Sequence, residues 1–386
     1  MNTVPFNEQQ IAGINAVEDW YKSWRNGMRQ KQVFFFAGYA GTGKTTCAFE
    51  IATRCCGSIN QVEFIAPTGK AASRLRQKGC HHARTMHQFI YRLRGEDEEG
   101  NPIFGAKASI DGRPPLVILD EASMVGEYDY NNLIRHGVPI LALGDIGQLP
   151  PVKATPMFTE GHQDVLLDKI ERNGGKIIEA SMYVRQGHKL PAREYEDVRV
   201  RRGDAPLNEL IAHADENSQV LCAFNKTRDD VNRAVRKELG YTDLLPMPGE
   251  KILCRFNQHG FGIMNGEQGI VLRYEQVDAR KENQDSMYED EEDDGSRIWI
   301  KSLTDGREIR VKFKKEAFDR NFDTRIAAQK KPGGFDFGYA MTVHSAQGSE
   351  WPNVLVIEQE LRGVPYNKLM YTAITRAQTR LTVYRD

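Results

Sequence analysis

The chain alternates short apolar runs with longer stretches of helical periodicity. Eight runs of four or five residues stand out: Val33–Ala37, Val62–Ala66, Leu116–Leu119, Ile140–Leu143, Val220–Phe224, Tyr339–Val343, Val354–Ile357 and Leu381–Tyr384. Runs that are apolar on both faces predict strands of parallel sheets covered by helices on both sides. In such sheets ligands collect beyond the carboxyl ends of the strands. That is where the sequence places Gly38, Thr68, Asp120, Asp145, Asn225 and His344.

The texture changes twice. From about residue 246 to 334, the stretches Gly249–Phe256, Gly269–Tyr274, Arg297–Leu303 and Arg307–Phe313 read as short β segments and predict a small β-barrel. Within them the acidic run Glu289–Asp294 reads as a solvated hairpin tip. Between His87 and Pro115 a second insert reads as a hairpin (88–115) that carries Arg92, Arg94, an acidic turn and Ile103-Phe104. The expected organisation is a first α/β domain over 1–160, a second over 161–245 plus 335–386, and the barrel insert over 246–334.

Gly38-Tyr39-Ala40-Gly41-Thr42-Gly43-Lys44-Thr45 fits G-x-x-x-x-G-K-[ST], between an apolar strand and a helical stretch from Thr46. In such a loop, glycines let backbone N–H groups wrap phosphates, the lysine reaches the β- and γ-phosphates, and the threonine hydroxyl coordinates Mg²⁺. The nucleotide-binding set is therefore Gly38, Gly41, Thr42, Gly43, Lys44, Thr45 and Thr46, and the cofactors are ATP and Mg²⁺. Asp120-Glu121 ends another strand. Adjacent carboxylates there can serve as metal ligand (Asp120, with Thr45) and general base (Glu121). Gln148, in Gly144–Val152, stands where an amide can sense the γ-phosphate and orient water.

Composition adds little. Net charge is −1, with 40% hydrophobic and 27% charged residues, which is ordinary for a globular chain. Any nucleic-acid site must then be a local basic groove. The start of the chain has no secretory signal, and no apolar run near it could cross a bilayer, so a cytosolic protein with no membrane partner is expected. The six cysteines are scattered without a CxxC pair. They read as reduced thiols, and Cys55, Cys56, Cys80, His81 and His82 fit no common zinc spacing.

Taken in order, these segments resemble the motifs of superfamily 1 DNA helicases, most closely the RecD/Dda-like branch, from about residue 6 to 384. Phe6–Gln10 resembles the adenine-reading glutamine motif, with Gln10 in register. Ala66–Ala72 and Thr85–His87 resemble the motifs that lie along DNA. Asp120–Met124 and Gly144–Val152 match the next two. Leu167–Arg172 resembles the segment with a first arginine finger, with Arg185 as the rival to Arg172. Thr342–Glu350 matches a late DNA- and nucleotide-linked motif, which adds Gln347, Gly348 and Glu350 to the nucleotide set. Tyr371–Ala377 matches the last motif, with Arg376 as the second finger.

The resemblance implies two RecA-like P-loop domains with ATP held between them, a β-hairpin insert and an SH3-like barrel insert. It implies 5′→3′ translocation on single-stranded DNA and unwinding of forked duplexes by a monomer, alongside single-strand-binding or replication proteins. The implied DNA contacts are Pro67, Thr68, Lys70 and His87 on the first domain, and Asn225, Lys226, Thr342 and His344 on the second. Phe104 is the candidate strand-splitting wedge, and Phe89 and Tyr91 are candidates to stack on bases. The alternative is a DNA-binding subunit of a larger recombination complex that does not unwind alone.

Overall fold

The computed structural model describes residues 5–29, 31–96, 102–110, 112–152, 154–171, 175–258, 261–277 and 294–385. The chain forms two compact units, Met1–Gly175 with Asn367–Thr375, and Lys176–Tyr366 with Arg376–Asp386.

The first unit is built on a six-stranded sheet of β1 (Val33–Gly38), β2 (Glu63–Ala66), β3 (Arg84–Thr85), β6 (Val117–Leu119), β7 (Ile140–Gly144) and β8 (Val165–Leu167), in the order β3-β2-β6-β7-β1-β8. Every pairing is parallel. Phe34, Phe36, Ile118, Leu141 and Leu143 pack against Ile14, Val17 and Tyr21 of the helix Glu8–Arg25 and Ile51 of the helix Lys44–Cys56. Each such large side chain contributes about 1.5–3 kcal/mol when fully buried. Strands β4 (Tyr91–Glu96) and β5 (Pro102–Ala106) form a separate antiparallel pair.

The end of the first unit, expected near residue 160, falls at Gly175, because β8 hydrogen-bonds to β1 and belongs to the first sheet. The segment Asn367–Thr375, expected in the second domain, also belongs to the first unit.

The second unit holds two sheets. One has the order β17-β11-β18-β19-β10-β9, from β9 (Arg193–Glu194), β10 (Val198–Arg202), β11 (Ser218–Cys222), β17 (Ala340–Thr342), β18 (Trp351–Ile357) and β19 (Ala377–Arg385). It is parallel except for β9. The other is an antiparallel sheet, β15-β14-β13-β12-β16, from β12 (Lys251–Cys254), β13 (Gln268–Gln276), β14 (Ser296–Ser302), β15 (Glu308–Lys312) and β16 (Phe335–Phe337). It closes over Ile252, Val271, Ile298, Ile300, Val311, Phe313 and Phe335. Strand β16 lies just beyond the expected 246–334 insert. Of the acidic run, residues 289–293 lie outside the described residues.

A buried polar seam joins the two sheets of the second unit. Gln268 on β13 donates to Gln219 Oε1 on β11 at 2.8 Å, and Trp351 Nε1 on β18 donates to Gln268 Oε1 at 3.2 Å. Lys251 on β12 donates to the carbonyls of Asp215 (3.0 Å) and Ser218 (2.7 Å). Arg236 meets Glu250 with two bonds, at 2.7 and 2.9 Å. Buried polar groups are tolerable only when paired, so this seam fixes one register between the sheets.

The six cysteines are free thiols. Burial pushes Cys47 and Cys55 up to about 12, so these two stay protonated and pack as small apolar groups. Among the described residues no helix is long and apolar enough to cross a membrane.

Candidate nucleotide and DNA sites

Strand β1 is buried along most of its length and delivers Gly38 to the carboxyl end of the first sheet. The loop then turns on Gly41 and Gly43, each with φ of 80°, a region that L side chains rarely adopt. A side chain at Gly38 would stand 2.7 Å from Thr42 Oγ1. The helix from Lys44 has no side-chain cap. Its first N–H groups therefore carry the positive end of the helix dipole into the loop, the ordinary anchor for a phosphate. Lys44 Nζ donates to the carbonyls of Gly38 (2.8 Å) and Tyr39 (2.9 Å).

Sheet register brings the remaining candidates to the same end. Ala37 pairs with Gly144, Leu119 with Ala142, and Ile65 with Leu119. Asp120-Glu121, Asp145–Gln148 and Pro67-Thr68 therefore leave the sheet beside the loop. Glu121 has φ 54° and ψ 40°, a left-handed conformation that costs a non-glycine residue about 1–2 kcal/mol. Its N–H donates to Asp120 Oδ1 at 2.9 Å. Strain of this kind gathers at functional sites. Thr45 and Asp120 offer hard oxygen donors of the type that Mg²⁺ takes.

Gln148 is 5% exposed. Its Nε2 donates to Asp145 Oδ2 at 3.2 Å, while its Oε1 is buried with no hydrogen-bond partner among the described residues. Asp145 Oδ2 also accepts from the Tyr371 hydroxyl at 2.9 Å, and that hydroxyl accepts the Ala40 N–H at 3.0 Å. Thr372 Oγ1 accepts the Leu149 N–H at 2.9 Å. Tyr371 and Thr372 were given no role in the sequence, although both lie inside a quoted motif, and Asp145 was placed only at a strand end.

Gln10, expected to read adenine, sits in a capping box. Its Oε1 accepts the Asn7 N–H at 2.9 Å and its Nε2 donates to the Thr42 carbonyl at 3.0 Å. It thereby braces the phosphate loop from the first helix. Arg172 lies outside the described residues.

On the candidate DNA side of this unit, Thr68 caps the helix Gly69–Gln77, with Oγ1 accepting the Ala71 N–H at 3.2 Å, and Lys70 lies in its first turn. His87 is exposed. Its ring centroid is 5.1 Å from that of Tyr91, and Tyr91 in turn lies nearly parallel to Tyr128, at 6.5 Å and 10°. Phe89 is wholly buried and Tyr91 nearly so, which makes both of them core. The open ring is Tyr128, 74% exposed. Sequence reasoning passed over it because Tyr128 and Tyr130 on a short, largely polar helix carry no motif. Phe104, expected near the hairpin tip, lies within β5 opposite Leu93 and is 56% exposed. The tip itself lies outside the described residues.

In the second unit the candidates separate. Cys222 pairs with Thr342, so Asn225, Lys226, Thr342 and His344 leave the carboxyl ends of β11 and β17. Asn225 and Lys226 open the helix Asn225–Glu238. Thr342 Oγ1 meets Ser345 Oγ at 3.0 Å, and burial holds the half-buried His344 imidazole below its ordinary range. Gln347, Gly348, Glu350 and Arg376 instead precede β18 and β19, at the amino ends. Arg376 Nη1 donates to the Ser349 carbonyl at 3.1 Å, and the Trp351 N–H donates to the Arg376 carbonyl at 2.9 Å.

A glycine-turned loop opening a helix, an acidic pair with one strained member and a buried glutamine at one end of a parallel sheet define a P-loop protein of RecA-like α/β type. Residues 25–204 match the AAA domain family, and residues 337–384 match the UvrD-like helicase C-terminal domain. The relatives and structural neighbours that the chain resembles are RecD-type and Pif1 helicases. The chain is 28% identical to the ATP-dependent RecD2 DNA helicase of Deinococcus radiodurans, over 94% of this chain and 50% of that protein. It is 25% identical to the RecBCD enzyme subunit RecD of Mycolicibacterium smegmatis, over 90% of this chain and 67% of the relative. The chain thus spans about half to two thirds of these relatives. Among solved structures it resembles Bacteroides Pif1 bound to single-stranded DNA, with TM-score 0.58 and 17% identity over 99% of this chain and 92% of the other. A structure of two coordinating Pif1 helicases at forked DNA gives TM-score 0.62 at 18% identity, over 98% and 92%. At these identities the likeness is one of fold.

Proposed function

We propose that this chain is an ATP-dependent DNA helicase that translocates 5′→3′ on single-stranded DNA and unwinds forked duplex. The observation that carries the proposal is the gathering of Lys44, Glu121 and Gln148 with the Pro67–Lys70 loop at one end of one sheet. Nucleotide chemistry beside a candidate DNA grip is the minimum a motor needs.

In this reading Gly38, Gly41, Thr42, Gly43, Lys44, Thr45 and Thr46 hold ATP, with Gln10 at the loop's flank. Thr45 and Asp120 would hold Mg²⁺, which would supply neutralising charge to the phosphates, and Glu121 takes the proton of the attacking water. Arg376 and Arg172 are the fingers, and Gln347, Gly348 and Glu350 follow the nucleotide. Pro67, Thr68, Lys70 and His87 on the first unit, and Asn225, Lys226, Thr342 and His344 on the second, contact the backbone without reading sequence. Tyr128 offers its open ring to a base. Phe104 on the β4–β5 pair is the wedge, and the antiparallel sheet of the second unit is the SH3-like element. The protein works as a monomer in the cytoplasm.

Unwinding of a 5′-tailed duplex and of the matched 3′-tailed duplex tests the reading. The expected result is ATP-dependent strand release from the 5′-tailed substrate alone. Release from the 3′ tail alone overturns the polarity, and release from neither overturns the helicase reading.

A further inference from the structure

We infer that Tyr371 is a positioning residue that orients the Gln148 amide and ties it to the phosphate loop. The inference rests on reading the first unit as an ATP-hydrolysing site.

The two ends of a glutamine amide have nearly the same shape and opposite chemistry, since Oε1 accepts and Nε2 donates. Shape alone therefore cannot decide which end faces a reacting water. Here the choice is made by Asp145. Its carboxylate can only accept, it takes Gln148 Nε2 at 3.2 Å, and Gln148 Oε1 is left as the buried end with no partner among the described residues. That leaves an acceptor without a partner among the described residues, the kind of atom that suits an attacking water that must point a hydrogen away from the phosphorus.

Asp145 is itself 1% exposed, so its angle depends on its donors. Gly147 N–H donates to Oδ1 at 3.0 Å, and the Tyr371 hydroxyl donates to Oδ2 at 2.9 Å. A tyrosine has one hydroxyl proton. Once this proton is committed to the carboxylate, the oxygen faces the Ala40 N–H as an acceptor, at 3.0 Å. The polarity of the chain is therefore fixed from end to end: Ala40 N–H to Tyr371 to Asp145, with Gln148 donating from the other side. Ala40 is a residue of the phosphate loop. A shift of that backbone reaches the sensor amide through one hydroxyl and one carboxylate.

The Tyr371 ring is held independently of its hydroxyl. It lies edge-on to Tyr39 at 6.4 Å and 77°. It also crosses Gly147 so closely that a Cβ there would stand 2.9 Å from its Cε1. The helix that carries it is pinned by the bond from Leu149 N–H to Thr372. Tyr371→Phe therefore removes the relay and keeps the packing.

The test is ATP hydrolysis with saturating single-stranded oligonucleotide by the full chain, its Tyr371→Phe and Gln148→Ala variants, and the double variant. The expected result for Tyr371→Phe is a kcat about tenfold lower, the scale of one buried hydrogen bond, with KM for ATP within about twofold of wild type. On the Gln148→Ala background the same change should cost less than about twofold, because a residue that acts through another loses its effect when that other is gone. Asp145→Asn keeps the shape and should follow the same pattern. Costs that multiply in the double variant, or a Tyr371→Phe defect confined to KM, overturn the positioning role alone. A wild-type chain that hydrolyses no ATP overturns the ATPase reading and this inference with it.

Discussion

The two units place their candidate groups differently on similar sheets. In the first, the phosphate loop and the Pro67–Lys70 loop leave the same carboxyl end. In the second, the Asn225 and His344 loops leave the carboxyl end, whereas Gly348, Glu350 and Arg376 precede β18 and β19 at the amino end. The difference has a physical basis. Binding phosphate with neutral amides needs a helix N-terminus, and in a parallel α/β sheet those lie beyond the carboxyl ends of strands. A guanidinium brings its own full charge and reach, so Arg376 can work from the end that has no helix dipole to lend. The units also differ in where their distinctive buried polarity lies. At the carboxyl end of its sheet the first keeps a strained Glu121 and, among the described residues, an unpartnered Gln148 Oε1. The second leaves buried atoms such as Ser349 Oγ unpartnered as well, but it also carries the paired seam of Lys251, Gln268 and the Arg236–Glu250 pair. That seam fixes the shape of the second unit.

The largest expected effect breaks the first half of that contrast. Glu121→Gln keeps the size of the side chain and removes the proposed base. DNA-stimulated hydrolysis should fall about 10²–10⁴-fold, with ATP binding and thermal midpoint near wild type. A fall of less than about threefold in a single-turnover assay would move the base elsewhere.

What the sequence made legible follows the same division. The phosphate loop was readable because its glycines, lysine and threonine sit at fixed spacing between a strand and a helix. Strands buried on both faces announced themselves as unbroken apolar runs. Strand β8, three residues of Val165–Leu167, was too short to show, so the end of the first unit was expected too early. In β10 the apolar positions alternate with arginines, Val198 and Val200 against Arg199 and Arg201, and that pattern hides a strand of a covered sheet. The Tyr371–Asp145–Ala40 relay was unreadable for another reason. It joins residues 226 and 331 positions apart in the chain, and only folding reveals which of several polar motif residues face each other.

An intermediate effect sharpens the second half of the contrast. Burial pushes the Lys251 ammonium down to about 7, against about 10.4 for an exposed lysine. Below about pH 7 both folded and unfolded chains hold the proton, and the folded state bears the full cost of a buried charge. Between about 7 and 10.4 the unfolded chain binds more protons, so this group makes stability rise with pH, by at most about 1.4 kcal/mol per pH unit. Lys251→Met should remove that slope. The difference in urea unfolding free energy between wild type and variant, measured at pH 6, 7.5 and 9, should therefore shift in favour of wild type as pH rises. A difference that stays constant with pH would show that Lys251 keeps its proton in the fold and is held as a cation by the two carbonyls.

The smallest effect asks whether the first unit grips bases as well as phosphates. Tyr128 is the outer ring of a stack whose inner ring, Tyr91, is fixed by its hydroxyl, which donates to Asp129 Oδ1 at 2.9 Å and accepts from Asn132 Nδ2 at 3.0 Å. A rigid inner ring spares the outer one part of the ordering cost of binding. His87 also packs beside Tyr91, and the exposed Arg92 follows Tyr91 in β4, so this stretch of chain carries basic groups of the kind that track a phosphate backbone. Stacking one base is worth about 1–3 kcal/mol by alanine substitution, and the high exposure of Tyr128 puts it at the low end. Tyr128→Ala should weaken binding of a single-stranded oligonucleotide about fivefold to tenfold, whereas Tyr128→Trp should bind as well as wild type or better. The salt dependence of binding should keep its slope, because no phosphate contact is lost. If the alanine variant binds DNA like wild type, the stack belongs to the fold and the first unit holds the strand by its backbone alone. If its affinity falls with a shallower salt slope, the substitution has disturbed the basic neighbours, and the base-stacking role is withdrawn.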